Sequence, residues 1–340
     1  MPSHGGAGHG SVCLVAPPFR GEHGWVTVPP AGYGGIQWSM AHLMDGLLEL
    51  GVSVTLLGAP GSPWPKSVVV ADVAEEREIV RWLETNGPGL IHDFANFSSL
   101  QDRIPAGCAY CRTWQLTSRP PGWGNTVFVS DAQRRSMGAP GAPVIPLPVN
   151  PDRYHLGPAK DGYLLFLGRI SPWKGAFEAA ALAAHLGSPL VIAGPSWEPA
   201  YKERIVRDFP GVATFADEVT GPARDQLLAR ARALTVLSQP VPGPWGQVWC
   251  EPGAAVVAEA AASGTPVIAT DNGCLRSLVP GVGVIVSTGA RFTSRDTAAL
   301  AELPTPTRVR EVAIDRWGHV AIARRYLAVY ADCLAGRRWK

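Results

Sequence analysis

Two basic residues in the second half of the chain have a spacing that suits an anionic ligand. Arg169 and Lys174 lie five residues apart in GRISPWKG, which directly follows an apolar run. Ser171 is a good helix N-cap and Pro172 a good first helical residue, so both cations and the positive end of a helix dipole are predicted to converge there. A pyrophosphate group fits such a place.

Two acidic residues, Glu251 and Glu259, form a second pair further along the chain. They stand eight positions apart in CEPGAAVVAEA, and the residues between them are small and mostly apolar. At the helical rise of about 1.5 Å per residue, the two carboxylates would lie roughly 12 Å apart. This spacing predicts one carboxylate at each end of a nucleotide sugar, at the sugar and at the ribose.

Two glycines in the first half, Gly34 and Gly35, are predicted to begin a helix whose backbone N–H groups face an anion. The alternative is a glycine pair needed only for the turn. A dehydrogenase-type GxGxxG motif is not indicated, because Gln37 stands at its third glycine position and no acidic residue ends the second strand. The sequence contains no Asp-x-Asp, so neither a metal nor another cofactor is expected.

The elements that must position these residues follow from the apolar periodicity, which changes between periods of two and 3.6. In the first half we predict strands at 11–16, 52–57, 68–70, 90–91, 126–129 and 143–145, and helices at 36–50, 74–84 and 131–137. In the second half we predict strands at 163–167, 190–193, 234–237 and 266–269, and helices at 174–186, 199–208, 223–230, 254–262 and 317–334. This alternation indicates an α/β fold of two Rossmann-like domains, with ligands at the carboxyl ends of the strands in a cleft between the domains.

The domain boundaries are predicted from the proline-rich segment 145–162, which suits a hinge. We expect one domain over 1–150 and a second over 151–312. The remaining residues, 313–340, carry an amphipathic helix with no strand after it, and this helix is predicted to cross back onto the first domain.

Composition excludes several classes of protein. Lys and Arg number 30 against 28 Asp and Glu, and this net charge of +2 is far from that of a dedicated nucleic-acid binder. No apolar run reaches the roughly 18 residues of a membrane span, so a soluble protein is expected. Six cysteines in 340 residues are too few for a disulfide scaffold and favour the cytoplasm. The pair Cys108 and Cys111 is interpreted as buried thiols, with a zinc site as the less favoured alternative.

Three segments together resemble a known family: GRISPWKG, EPGAAVVAEAAASGTPVIAT and the early PPAGYGG. They are similar to the retaining glycosyltransferases of family 4, which have the GT-B fold, and the similarity runs from Ser11 to the final helix. The resemblance implies that 1–150 faces the acceptor and that 151–312 binds the nucleotide-sugar donor. The small size and the ratio of 25 Arg to 5 Lys are also similar to those of actinobacterial antibiotic-biosynthesis transferases of the avilamycin (orthosomycin) type.

The resemblance implies a role for each candidate site residue. The donor diphosphate would contact Gly34, Gly35, Arg169 and Lys174, and the ribose would contact Glu259. The donor sugar would contact the backbone of Gly253, Ala254 and Ala255. The nucleobase would contact Glu218 and Val219. The implied catalytic residues are His92, which would help to place the donor sugar, and Glu251, which would bind one of its hydroxyls. Considered alone, a histidine after a strand is more often structural.

The sequence departs from the family pattern around Glu251. Many members read E-P-F-G where this chain has Glu251-Pro252-Gly253-Ala254, so the aromatic residue is missing and the glycine is shifted by one position. An unusual Pro- and Trp-rich stretch, residues 239–249, precedes it. These differences predict an atypical donor sugar.

The combined expectation is a retaining, metal-independent glycosyltransferase that uses a UDP-sugar or another nucleotide-sugar. Its first 150 residues carry 9 basic and 11 acidic residues, which disfavours docking on an anionic membrane and favours a soluble small-molecule or oligosaccharide acceptor. Tryptophans in loops offer flat faces for such an acceptor: Trp25, Trp64, Trp114, Trp123, Trp197, Trp245 and Trp249. Two alternatives stay open, a nucleotide-sugar epimerase or hydrolase of the same fold and a non-catalytic nucleotide-sugar binding protein.

Overall fold

A computed structural model describes residues 10–17, 19–21, 24–73, 75–96, 100–120, 124–157 and 160–339. Three sequence predictions fall partly outside these residues: the helix start at Ala74, the loop tryptophan Trp123 and positions 158–159 of the hinge. The chain divides into two compact units. Unit 1 comprises the described residues up to Pro148 together with those from His319 onward, and unit 2 runs from Val149 to Gly318.

The elements of the described residues are numbered here in chain order. The strands are β1 (Ser11–Val15), β2 (Arg20–Gly21), β3 (Gly24–Trp25), β4 (Ser53–Gly58), β5 (Val69–Asp72), β6 (Leu90–Asp93), β7 (Ala109–Trp114), β8 (Thr126–Phe128), β9 (Leu164–Leu167), β10 (Leu190–Ala193), β11 (Ala213–Phe215), β12 (Ala233–Val236), β13 (Val267–Thr270) and β14 (Gly283–Val286). The helices are α1 (Gly35–Glu49), α2 (Glu76–Asn86), α3 (Asp131–Met137), α4 (Ala176–Leu186), α5 (Pro199–Asp208), α6 (Gly221–Arg230), α7 (Ala255–Ala262), α8 (Leu275–Leu278), α9 (Ser294–Leu300), α10 (Pro306–Trp317) and α11 (His319–Leu334).

Unit 1 is built on a six-stranded parallel sheet in the order β5-β4-β1-β6-β7-β8. Four of the five residues of β1 are buried, as expected for a continuous apolar strand that helices cover on both faces. The short strands β2 and β3 form a separate antiparallel pair.

The last helix, α11, completes unit 1. Its residues Ile322, Tyr326, Val329 and Tyr330 recur at helical spacing and are buried in the same core cluster as the inner face of α1. Close packing of the two helices depends on Gly46 of α1, because a Cβ there would overlap the carbonyl oxygen of His319.

Unit 2 repeats the architecture with a parallel sheet in the order β11-β10-β9-β12-β13-β14. The small apolar residues of α7 are buried against this sheet, and α10 packs on α7. Unit 2 ends six residues later than the predicted boundary at 312, because α10 continues to Trp317 and belongs to it. The helix predicted at 317–334 is α11, which begins two residues later at His319, whereas α10 was not predicted.

Several predicted elements differ from the structure. Strand β7 was not predicted, because Arg112 and Thr113 interrupt its apolar pattern, and the short β11 and β14 were not predicted either. The predicted strand at 143–145 is only an isolated bridge between Phe128 and Val144. The helix predicted at 174–186 begins at Ala176, because Pro172–Lys174 forms a separate 3-10 turn that ends at Gly175.

Candidate functional site

Lys174 and Glu251 form an ion pair at one edge of the unit 2 sheet. Lys174 follows β9 and Glu251 follows β12, and these two strands are parallel neighbours, so their carboxyl ends meet. The ammonium nitrogen of Lys174 donates to both carboxylate oxygens of Glu251 at 2.9 Å each. Trp249 completes this group, which we call the Lys174 cluster.

Trp249 contacts both charged partners of the Lys174 cluster. Its indole N–H donates to Oε2 of Glu251 at 3.0 Å, and Nζ of Lys174 lies 4.4 Å from the centroid of its ring. The side chain of Glu251 is 4% exposed and that of Lys174 is 28% exposed. An ammonium group has three N–H donors, so the two bonds to Glu251 leave one donor for an anionic ligand.

The position of Glu251 corrects the helical spacing assumed from the sequence. Glu251 and the three residues after it are not helical, and α7 begins only at Ala255, so a helical rise does not set the distance from Glu251 to Glu259. The chain segment is fixed instead by the loop after β13: the N–H of Cys274 donates to the carbonyl of Glu251 at 2.9 Å. A Cβ at Gly273 would overlap the backbone of Glu251.

The three backbone positions predicted to contact a donor sugar lie between Glu251 and α7. Gly253 is buried, Ala254 is the N-cap residue and Ala255 is the first residue of α7. Ala254 has φ 41°, a left-handed conformation that favours glycine, whereas Gly253 is not in this region. The family pattern E-P-F-G places its glycine at position 254, where this chain has an alanine. No side chain caps α7, which leaves its first N–H groups for another partner.

The turn that carries Lys174 is packed tightly onto the end of β12. Gly175 has φ 79°, and a Cβ at this position would overlap the carbonyl oxygen of Leu237. The N–H of Gln239 donates to the carbonyl of Trp173 at 3.0 Å. The predicted helix dipole at Ser171 is therefore wrong in detail, because a 3-10 turn stands there and the hydroxyl of Ser171 makes no capping bond.

Arg169 is held separately from Lys174, against a different aromatic ring. Its guanidinium carbon lies 3.6 Å from the centroid of the Trp197 ring, and this tryptophan is 54% exposed. Each of the two predicted diphosphate cations of unit 2 thus lies over the face of a tryptophan. Such stacking restricts the side-chain rotamers before a ligand arrives.

Glu259, the predicted ribose contact, forms a buried ion pair that sequence reasoning missed. Its Oε2 accepts a hydrogen bond from Nη2 of Arg224 in α6, and the two residues are 3% and 6% exposed. Burial lowers the pKa of Arg224, but the carboxylate of Glu259 outweighs this effect and the net shift of that pKa is upward. The hydroxyl of Tyr154 also bonds to Arg224. We call Tyr154, Arg224 and Glu259 the Glu259 cluster.

Glu218 and Val219, the predicted nucleobase contacts, lie in the segment between β11 and α6 and are partly buried. The segment is fixed at Asp217, which has φ 49° and whose carbonyl accepts the N–H of Gly194 at 2.6 Å. Gly194 follows β10, so this loop also lies at the carboxyl end of the sheet.

Gly34 and Gly35 lie where the sequence predicts, at the start of α1 in unit 1. Gly34 is the buried N-cap residue and Gly35 is the exposed first helical residue. The helix has neither a side-chain cap nor an acidic residue in its first turn. Its first N–H groups and the positive end of its dipole are thus suited to an anion.

His92 lies inside the core of unit 1 and not at the end of a strand. Strand β6 continues to Asp93, so the His92 ring is within the sheet and is 0% exposed. Its Nδ1 lies 2.7 Å from the hydroxyl of Tyr330, and its Nε2 lies 2.8 Å from the hydroxyl of Thr113. Both nitrogens already have partners, so the predicted contact with a donor sugar is corrected to a structural role.

Burial lowers the pKa of His92 to about 3 from 6.5, so the ring is neutral in the folded protein. A pKa below the unfolded value means that its contribution to stability is complete above pH 6.5 and is lost as the pH falls toward 3. The contribution of the neighbouring Asp93 to stability has the opposite pH dependence. Burial raises its pKa to about 6, so that contribution is lost as the pH rises through 6.

We expect His92→Phe to destabilise the protein at pH 7 by roughly 2 to 4 kcal/mol, because the hydroxyls of Thr113 and Tyr330 lose a partner. This deficit relative to wild type should shrink by about 1.4 kcal/mol per pH unit below pH 6.5, since only the wild-type chain has this ring to protonate on unfolding. Urea unfolding of both proteins between pH 4.5 and 7 measures the difference, in which the contribution of Asp93 cancels. A deficit that is independent of pH would contradict the assignment of a neutral, buried ring.

The cysteines are free thiols. Cys111 lies in the core cluster beside α11 and Cys108 packs with Cys13 in another cluster, so the two cysteines of the C-x-x-C pair do not share a site. Within the described ranges, no group of three or more His, Cys, Asp or Glu side chains is placed to hold a metal ion. In the same ranges, no helix combines the length and apolar character needed to cross a membrane.

The structure describes six of the seven loop tryptophans. Trp197 and Trp245 are 54% and 49% exposed, whereas Trp114 and Trp249 are 2% and 8% exposed and belong to the packed interior. Trp25 and Trp64 are partly buried.

Two Rossmann-like α/β units, the second with charged residues at the carboxyl ends of its strands, define the GT-B class. Comparison with known proteins supports this fold class and identifies similar enzymes. Residues 152–303 match the family model described as glycosyl transferases group 1. AviGT4, a glycosyltransferase involved in avilamycin A biosynthesis, is 47% identical, with a TM-score of 0.92 over 97% of this chain and 99% of its own. The chain therefore belongs to the glycosyltransferases.

More distant solved structures share the fold. Sucrose-phosphate synthase from Thermosynechococcus elongatus is 18% identical, with a TM-score of 0.72 over 96% of this chain and 99% of its own. HepE from Anabaena, in complex with UDP and glucose, is 15% identical, with a TM-score of 0.64 over 95% of this chain and 99% of its own. Among curated proteins, none matches the chain significantly.

Proposed function

We propose that this glycosyltransferase is a retaining, metal-independent enzyme that transfers a sugar from a nucleotide-diphosphate sugar, with UDP as the nucleotide. Its proposed acceptor is a soluble natural product or oligosaccharide, in cytoplasmic antibiotic biosynthesis. The pathway is proposed from the 47% identity to AviGT4 over nearly the whole chain. The complex of the related HepE with UDP and glucose supports the choice of UDP.

The observation that carries the proposal is the Lys174 cluster. It places a cation with a remaining N–H donor beside a carboxylate, at the end of the sheet where α/β folds bind ligands. The ammonium would bind the donor diphosphate and Glu251 would accept from a sugar hydroxyl. Arg169 would add to the stabilisation of the diphosphate.

The proposed reaction needs no covalent enzyme intermediate. The bond between the anomeric carbon and the diphosphate oxygen breaks, the acceptor oxygen bonds to the same face of that carbon, and the acceptor proton passes to the departing diphosphate. The protein then contributes mainly position and charge. The diphosphate leaves with additional negative charge, and Lys174, Arg169 and helix N-termini would stabilise it where other enzymes use a metal.

A panel of UDP-, dTDP- and GDP-sugars tests the donor, first by thermal shift and then by mass spectrometry of products with candidate acceptors. We expect UDP-sugars to raise the Tm most, by several degrees at saturating concentration. We also expect transfer to persist in EDTA and NMR to show that the anomeric configuration is kept. If no nucleotide or nucleotide-sugar stabilises the protein, the proposal is wrong.

The same experiment separates two other reactions. Free UDP with an altered or free sugar, formed equally well without acceptor, would indicate an epimerase or a hydrolase. Donor binding without turnover with any acceptor would indicate a binding protein.

A further inference from the structure

We propose that Arg224 is a positioning residue that fixes the carboxylate of Glu259 and thereby sets how strongly the protein prefers a nucleotide with ribose hydroxyls. This inference rests on the proposed function, because it assumes that Glu259 receives the ribose. Arg224 itself acts through Glu259: its guanidinium bonds to Oε2 of the glutamate, which leaves Oε1 as the oxygen proposed to receive the ribose.

The geometry of the Glu259 cluster supports a fixed orientation. Arg224 comes from α6 and Glu259 from α7, so their side chains meet between two helices and their bond orients both. Tyr154 bonds to the same guanidinium from the start of unit 2, and Nη1 lies 4.0 Å from the carboxylate of Asp225. A planar guanidinium held by several partners has few rotamers left. Its hydrogen bond to Glu259 therefore restricts the rotamers of that carboxylate as well.

The pair is not needed to hold the two helices together. Leu228 of α6 and Val257 and Ala258 of α7 are buried in one apolar cluster, which already packs the helices. An apolar pair of similar volume is often as stabilising as a buried ion pair, because both charges lose their hydration. A buried Arg–Glu pair beside a predicted ligand contact therefore points to a function in orientation.

Orientation matters for binding because a free glutamate side chain must be ordered when a hydroxyl donates to it. With Arg224 in place, the Glu259 side chain is ordered before the ligand binds. Its Oε1 then accepts the hydrogen bond with little further loss of conformational entropy. Without Arg224, the carboxylate turns away or adopts several rotamers, and the ribose hydroxyls lose most of their contribution. A nucleotide that lacks these hydroxyls should not be affected.

Calorimetric titration with UDP and with 2′,3′-dideoxy-UDP tests this directly. A charge-assisted hydrogen bond corresponds to roughly a tenfold change in affinity, so we expect wild type to bind UDP about 10-fold more tightly than the dideoxy nucleotide. In Arg224→Met this ratio should fall below about 3, while the Kd for dideoxy-UDP stays within about twofold of wild type. Tyr154→Phe, which removes only one hydroxyl, should lower the ratio partially.

The matched control is Arg230→Met on the same helix. Arg230 pairs with Asp161 on the surface, where its side chain is 51% exposed, so its loss should leave the ratio unchanged. Thermal unfolding checks each variant. If Arg224→Met does not fold, Tyr154→Phe and Arg224→Lys, which keeps the charge without the planar fork, carry the test, and both are expected to lower the ratio.

An unchanged ratio in the folded variants, or an equal loss of affinity for both nucleotides, would overturn this inference, because either result means a purely structural role. A wild-type protein that binds UDP no more tightly than dideoxy-UDP would overturn it as well. Failure of the wild-type protein to bind any nucleotide would instead contradict the proposed function. The two failures are therefore distinguishable.

Discussion

Lys174→Ala should lower kcat/KM for the donor by about 100-fold or more. The substitution removes the cation proposed to bind the diphosphate, and the loss of a charge-assisted contact of roughly 3 kcal/mol corresponds to that factor. It also leaves the carboxylate of Glu251, whose side chain is 4% exposed, without its cation. Initial rates at several concentrations of the best donor from the panel give kcat and KM separately.

Two further variants separate the parts of this effect. In Glu251→Gln a neutral amide replaces the buried carboxylate, so removal of Lys174 no longer leaves an unpaired charge. Lys174→Ala in that background therefore reports the loss of diphosphate binding alone. Arg276→Ala is the surface control, since this side chain is 80% exposed and pairs with Asp271 in the same unit. Turnover of Lys174→Ala close to that of wild type would refute the assignment of the donor site.

Gly175→Ala should destabilise unit 2 by roughly 2 to 5 kcal/mol. The left-handed φ of 79° is unfavourable for alanine, and the new methyl group would overlap the carbonyl oxygen of Leu237, which is backbone and cannot rotate away. The turn must then lift from the end of β12 and take Lys174 with it. We therefore expect the Tm to fall by about 5 to 15 °C, together with most of the transfer activity, as measured by calorimetry and the donor assay.

Gly187→Ala is the matched control at the other end of the same helix. Gly187 follows α4 with φ 60°, but no atom lies within 4 Å of the position of an added Cβ. It isolates the conformational cost of alanine, about 1 to 2 kcal/mol. Equal losses of stability in the two variants would show that the contact with Leu237 contributes nothing.

Local sequence signals were sufficient for much of the fold. Helix α3 was predicted with its observed bounds, because Ser130 caps it through the N–H of Gln133 and Gly138 ends it in the left-handed conformation. Strand β10 and helix α5 were also predicted with their observed bounds, and the alternation of strands and helices was enough to indicate two parallel sheets. These features depend on residues that are close in sequence.

The features that were missed depend on residues far apart in the chain. Arg224 and Glu259 are 35 positions apart, and no spacing rule relates them. The same holds for the ion pair of Glu251 with Lys174, 77 positions earlier, and for its support by the loop at Gly273. The helix assumed to begin at Lys174 was misplaced because Ser171 and Pro172 are equally good signals for a 3-10 turn, and only Gly175 and its contact with β12 decide between them.

His92 shows the same limit in unit 1. The sequence LIHDF does not reveal that β6 continues through Asp93, nor that a tyrosine 238 positions later bonds to the histidine ring. A histidine flanked by apolar residues gives the same local pattern whether it faces a ligand or the core. Here the hydroxyls of Thr113 and Tyr330 decide the outcome.

The return of α11 to unit 1 has a consequence for the order in which the chain is made. During translation, all of unit 2 is synthesised before the helix that completes unit 1. Until then α1 lacks its packing partner, and His92 lacks Tyr330. Unit 1, although its synthesis begins first, therefore remains incomplete, with the apolar face of α1 uncovered, until the last part of the chain has been made.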